Sequence, residues 1–172
     1  EDVLRMMQHK QRISFSTMGE KKTVLFVITS PMNKTLQNLV NLMYADMFRE
    51  LFECAEQKED CKLQVPIHII CDDFACGKIN RFDEYISIFG AAGISVTLLL
   101  QSESQLKSMY GVDAGTTIIN NCDTYVYLGG MDIETCRNVG QRINKPISTI
   151  MSLPLEQVLV FRRGMGCTQA RR

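Results

Sequence analysis

An excess of charge of either sign is missing from this sequence. Basic and acidic residues number 19 each, and the formal net charge is +0. A chain that binds nucleic acid over its whole surface carries a basic excess, so that class is excluded as a global property. The arginines of the tail "FRRGMGCTQARR", Arg162, Arg163, Arg171 and Arg172, leave room for a local basic face. A solvated, frayed terminus is the expectation for that tail. Long apolar runs are missing too: none reaches the ~20 residues of a membrane helix. The opening "EDVLRMMQHKQR" is charged and polar, so it is not expected to be a secretory leader. With two histidines and no CxxC pair, no zinc spacing occurs. The seven cysteines, an odd number, read as free thiols of a reducing, cytosolic environment. Glu1 in first position points to a piece of something longer.

What is present is an ordinary globular composition, 45% hydrophobic over 172 residues. That length suits one domain. Asp2 to Gln11 reads as a short helix, and "GEKK" as a turn. "TVLFVIT", Thr23 to Thr29, is a continuous apolar, β-branched run, predicting a strand buried on both faces. Leu36, Val40, Met43, Met47 and Leu51 recur at helical spacing, widened by Leu39, Tyr44, Phe48 and Phe52; Asn33 or Thr35 can cap this helix. "VPIHIICDD" and "ISVTLLL" predict further buried strands, with a helix over "RFDEYISIF" between them. Ser102 and Gln105 stand in capping-box spacing before a helix ending at Gly111. A short helix led by Asp113 follows, then the strand "DTYVYLGG" and a helix capped by Asp132. "ISTIMS" and "QVLVFRRG" are the last strand candidates. Strands alternating with helices predict an α/β fold, a three-layer sandwich around a mostly parallel sheet.

The chemistry concentrates in "HIICDDFACGK". An apolar strand there ends in two adjacent acids, Asp72 and Asp73. In open parallel sheets ligands bind at the carboxyl ends of strands. Gln101 and the pair Gly129 and Gly130 lie at two other such ends. One acid can hold Mg²⁺ through its water shell, because that ion takes few carboxylates and keeps its waters. The next can orient or deprotonate an attacking water, and a neutral amide can meet a terminal phosphate without repelling it. The plainer reading is that the acids only cap the next turn or helix. His68 reads as a neutral core histidine bonded to a neighbour, and Lys78 as a solvated lysine. No G-x-x-x-x-G-K-[ST] loop occurs anywhere, so nothing here cradles phosphates. The acid pair is half of a site, or a relic of one.

Three ordered motifs then match a known pattern: the acid pair with "FACGKI", "GISVTLLLQSESQLKSMYG", and "NCDTYVYLGGMDIET". From about Lys21 to Gly164 the sequence resembles the TraG/TraD-type coupling proteins of conjugation and type IV secretion, including the region that recognises a relaxosome component. The resemblance implies the C-terminal half of a RecA-like P-loop ATPase motor. Residues 1–22 would be the end of an upstream helical insertion, and residues 23–172 the partial motor domain. The parent would be a membrane-anchored bacterial homo-hexamer at the cytoplasmic face of the inner membrane. It would bind ATP and Mg²⁺, and drive relaxase-bound single-stranded DNA or protein into the secretion channel. This chain alone would bind neither tightly and would be inactive. By position, Asp72 matches the Mg²⁺-associated acid, Asp73 the catalytic glutamate with a shorter arm, and Gln101 the glutamine facing the γ-phosphate. Gly90 stands where many members carry arginine, which implies that this arginine is lost here or replaced by another residue, Arg81 being the candidate. The alternatives weighed are a degenerate docking module for relaxosome or substrate proteins, and a phosphoacceptor receiver domain. The receiver is disfavoured because Gln101 stands where its acceptor aspartate would be.

Overall fold

The computed structural model describes residues 14–28, 34–74 and 77–171. The expected helix over Asp2 to Gln11, the Asn33 cap and Cys76 lie outside the described residues. Two compact units divide the chain, residues 1–99 and 100–172.

In the first unit a 3-10 turn, Ser16–Gly19, precedes helix α1, Lys34–Glu56. Thr35 is already inside that helix. Strand β1, Ile67–Cys71, helix α2, Phe82–Ile88, and strand β2, Ile94–Leu98, follow. β1 and β2 pair in parallel, Ile67 opposite Ile94 and Cys71 opposite Leu98. Pairing continues past the strand ends, where Leu99 donates to the Cys71 carbonyl at 2.9 Å and Phe74 to that of Leu99 at 3.0 Å. The apolar stripe of α1 forms the core: Met47, Phe48 and Leu51 are buried, together with Phe82 and Phe89 of the α2 segment. The helix runs on to Glu56, with Cys54 and Ala55 buried.

Two expectations fail in this unit. Thr23 to Ile28 form no strand, and Phe26 is 83% and Ile28 94% exposed. β propensity supplies a strand only where a ladder partner and a covering face exist. β1 and β2 are also not buried on both faces. Their exposure alternates, with His68, Ile70, Ser95 and Thr97 open and Ile67, Ile69, Val96 and Leu98 turned inward.

The second unit holds α3, Glu103–Tyr110, α4, Val112–Asn120, β3, Thr124–Tyr127, α5, Ile133–Ile143, α6, Ile147–Met151, β4, Gln157–Arg162, and β5, Thr168–Arg171. Its sheet runs β3-β4-β5 and is antiparallel throughout. The α/β class holds, but the expected mostly parallel sheet is restricted to β1 and β2. "ISTIMS" is the helix α6 rather than a strand, entered through Pro146, whose fixed φ suits a helix start. Over its described residues the tail does not fray either: Arg162 ends β4, Arg163 follows it and Arg171 ends β5. Asp113 sits inside α4, and Gly111, at φ 90°, occupies the cap position instead. The core joins Tyr127, Cys136, Val139, Ile150 and Leu159, with Tyr125 and Phe161 packed against it.

The other two predicted caps of this unit are present. Ser102 accepts from the Gln105 amide at 3.1 Å, and Asp132 from the Thr135 amide at 2.8 Å. Burial would raise the Asp132 carboxyl; hydrogen bonds from Ser104 and Thr135, and the Lys107 charge, reverse this and hold it below its usual value. A depressed carboxylate stabilises above its unfolded pKa and stops doing so as pH falls through the folded one. Asp132→Asn is therefore expected to lower the urea midpoint at pH 7, and the gap to wild type should close below about pH 4.

Helix α5 turns into α6 through a close approach at Gly140. A Cβ there would stand 2.7 Å from the Lys145 carbonyl oxygen. That backbone is held by the Lys145 amide, which donates to the Gly140 carbonyl at 2.9 Å. Gly140→Ala is expected to cost about 1–3 kcal/mol by overpacking, despite alanine's better helix propensity. Urea denaturation measures this directly.

Candidate functional site

Asp72 and Asp73 form the turn that leaves β1, and both are exposed. The turn is held on both sides: Cys71 is the last residue of the ladder, and Phe74 is buried and bonded to Leu99. Asp73 has φ 46°, in the left-handed region. Aspartate is among the few non-glycine residues that tolerate it, since its short polar arm can bond locally. Neither acid is the N-cap of α2, which is Arg81.

The acid pair lines a groove of about 970 Å³ in the first unit. One wall is β1 from Ile67 to Cys71, another the segment Lys22 to Val27, and Tyr44 and Met47 of α1 contribute a third. The groove is mainly apolar, with Asp72, Asp73 and Lys22 as its charged groups. Burial raises the Cys71 thiol to about 11, so it stays protonated and is no nucleophile at neutral pH. His68 is bonded as expected, Nδ1 to Ser95 Oγ at 2.7 Å and Nε2 to Thr97 Oγ1 at 3.0 Å, but on the open face of the sheet rather than in the core.

Gln101 is exposed and falls in the second unit, just ahead of the Ser102 cap. The other glycines and cations singled out from the sequence are also placed. Gly90 is exposed, and a Cβ built on it meets nothing within 4 Å, so a longer side chain fits there. Arg81 is paired with Glu84 on the surface, Nε to Oε2 at 3.0 Å. Gly129 has φ 99°, a conformation that favours glycine, and Gly130 accepts a bond from the Tyr127 hydroxyl at 3.3 Å. Among the described residues no three carboxylate, histidine or cysteine groups gather as a metal site.

Sequence reasoning missed one arrangement in the second unit. Glu103 is buried at 3% exposure, an unusual state for a carboxylate. Its amide donates to Thr135 Oγ1 at 2.9 Å, and Asn138 Nδ2 donates to its Oε2 at 2.5 Å. An acid in the first turn of a helix is commonplace and gave no signal. Its burial depends on Asn138, far along the chain.

Residues 66–146 match a family model described as the TraM recognition site of TraD and TraG. Comparison with curated proteins by sequence finds no match. Among solved structures, the plasmid coupling protein TrwB in complex with ADP and Mg²⁺ has a TM-score of 0.60 at 16% identity, over 81% of this chain and 38% of that one. A bacterial conjugative coupling protein, TrwBdeltaN70 in a trigonal form with sulphate, has a TM-score of 0.68 at 16% identity, over 92% of this chain and 43% of that one. The chain thus spans under half the length of these structures, and at such identity the likeness shows the fold. No helix among the described residues is long and apolar enough to cross a membrane. The family match is thus confined to residues 66–146, and the chain shares its fold with part of the conjugative coupling protein TrwB.

Proposed function

We propose that this chain is the acid-bearing part of a coupling ATPase that moves single-stranded DNA or protein into a type IV secretion channel. The observation that carries the reading is the acid pair on a turn held by parallel strands, Asp72 and Asp73 directly after β1. In this reading Asp72 holds Mg²⁺ through water, Asp73 orients the attacking water, and Gln101 meets the terminal phosphate. The group they serve, Mg²⁺-bound ATP, supplies the phosphoryl group whose transfer drives movement. A phosphate-binding loop comes from elsewhere in the parent, a homo-hexamer anchored at the cytoplasmic face of the membrane. Residues 1–22 belong to the end of a helical insertion, and 23–172 to the motor. Solved TrwB structures in complex with ADP and Mg²⁺, and with the non-hydrolysable GTP analogue GDPNP, support nucleotide as the ligand. The family description supports a relaxosome protein as a partner.

ATP turnover of the full-length parent, with and without single-stranded DNA, tests this. DNA-stimulated, Mg²⁺-dependent turnover is expected, and none from the isolated chain. A second reading, a docking module that has lost hydrolysis, is favoured by Gly90, where many members carry arginine. Absence of Mg²⁺-dependent nucleotide binding by the full-length parent would decide for it.

A further inference from the structure

The sheet of the first unit is open along one edge. Among the described residues β1 pairs with β2 alone. The Ile67 amide donates to the Gly93 carbonyl at 3.2 Å, and the Cys71 carbonyl accepts from Leu99. A parallel ladder engages alternate residues, so His68 and Ile70 turn their backbone groups to the other edge. No backbone bond meets them there among the described residues. Such an edge is a template for one more strand.

The segment that walls the groove opposite β1 fits this edge. Gly19, just ahead of it, accepts from the Val65 amide at 2.9 Å, which sets the segment's start beside the start of β1. Beyond it, Gln37 Nε2 of α1 donates to the Lys78 carbonyl at 3.1 Å, past the acid pair. Lys22 to Val27 therefore runs in the same direction as β1, and α1 is the helical crossover that a parallel neighbour requires. Exposure along the segment already alternates as in a strand. Val24 is 77% exposed, and Phe26 and Ile28 also stand open, whereas Leu25 is at 37% and Val27 is half-buried. Apolar surface this contiguous is rarely left open to water.

We infer that Thr23 to Ile28 is a strap that closes the groove by adding to the free edge of β1 as a third, parallel strand. The structure shows the open arrangement, in which the run has no ladder; closure supplies the partner it lacks. Extended at ~3.3 Å per residue, the strap matches β1 in length. It contains no proline or glycine, so each of its residues has an N–H to give and a side chain to pack. His68 and Ile70 offer the facing backbone groups. Open, the strap leaves an apolar groove beside Asp72 and Asp73. Closed, it replaces that groove with sheet, and so governs access to the acids from the β1 edge. This closure involves no nucleotide and stands apart from the motor reading.

Amide hydrogen exchange of the chain, read residue by residue by NMR, tests this. Closure is expected to protect the His68, Ile70 and strap amides together, by at least about 100-fold over the unstructured rate. Leu25→Pro and Phe26→Pro each remove one strap N–H, and whatever the register one of the two faces β1. At least one of them should lower protection at His68 and Ile70 about tenfold or more. Ile69, whose backbone faces β2, should keep its protection and so report that the unit is still folded. Backbone NOEs between the strap and His68 or Ile70 in the wild type need no variant and are expected as well. Free exchange of His68 and Ile70 in the wild type overturns the strap. So does protection that survives both proline variants, or protection without those NOEs. Protection that grows with protein concentration also overturns it, because a second copy would then be the added strand. None of these readouts depends on ATP turnover.

Discussion

Replacing Asp72 by alanine in the full-length parent is expected to abolish ATP turnover and, with it, DNA transfer. The expected loss is on the order of 10²-fold or more, the size seen when one preorganised electrostatic group is removed from a reacting centre. The fold itself should tolerate the change. Asp72 is exposed on a turn, and the hydrogen bonds that hold that turn run through the backbones of Cys71, Phe74 and Leu99. Circular dichroism and the urea midpoint should match wild type within about 0.5 kcal/mol, as for other surface positions. Loss of turnover in a folded protein would therefore report on chemistry. Asp72→Asn separates charge from shape and should be nearly as damaging, because a neutral amide cannot balance Mg²⁺. Normal transfer by Asp72→Ala would remove Asp72 from the site. Asp73 adds a second comparison. Its left-handed backbone, φ 46°, suits aspartate better than a longer arm. Asp73→Glu thus tests whether the shorter acid reflects the turn or a loss of hydrolysis: turnover that rises would show that arm length had limited it.

How far the sequence led depends on how local each determinant is. The Ser102 and Asp132 caps were legible because a cap is decided within four residues. The stripe Met47, Phe48 and Leu51 was legible because helical spacing marks a buried face whatever covers it. β1 and β2 were found in the right places by their apolar runs. Their alternating burial was not, since an apolar run carries no record of whether a second layer covers it. The run Thr23 to Ile28 is at least as apolar and β-branched as β1, yet it lies exposed and unpaired in any ladder. Strand composition states a capacity, and only a partner realises it. The antiparallel sheet was missed for a related reason. β5 pairs with β4 through a hairpin beginning at "RRGMGC", where polar residues looked like an end. Of the candidate site, the acids were legible as a motif, whereas their turn and the groove beside them came from folding. Glu103 had no sequence signature at all, because its burial is supplied by α5.

Phe48→Ala is expected to be the most destabilising single change in the first unit, by about 3–5 kcal/mol. Phe48 is at 0% exposure and stands in α1 opposite the α2 segment. Its ring centroid is 4.8 Å from Tyr85 and 5.0 Å from Phe89, and Tyr44 stacks one turn away at 6.0 Å. Truncation removes the transfer energy of the ring and leaves a cavity that aromatic neighbours cannot close, since rings repack less readily than aliphatic chains. It also removes the ring-to-ring terms, each about 0.5–1.5 kcal/mol beyond area burial. Phe52, on the same helix but only half-buried, provides the control: its rings lie farther off, 6.1 Å from Phe89 and 6.5 Å from Tyr85. Phe52→Ala should cost less than half as much. Phe48→Leu should recover most of the loss, because volume matters more here than aromaticity. The functional consequence lies in the acid pair. Phe74, which holds the turn after Asp73, packs on Phe82 at 4.7 Å, and Phe82 in turn on Phe89 at 6.0 Å. The ring contacts thus run from Phe48 to the residue beside the acids. Loosening the first of them is expected to raise amide hydrogen exchange at Phe74, while the amides of α5 in the second unit keep their protection. Equal loss of protection in both places would mean that the two units unfold as one.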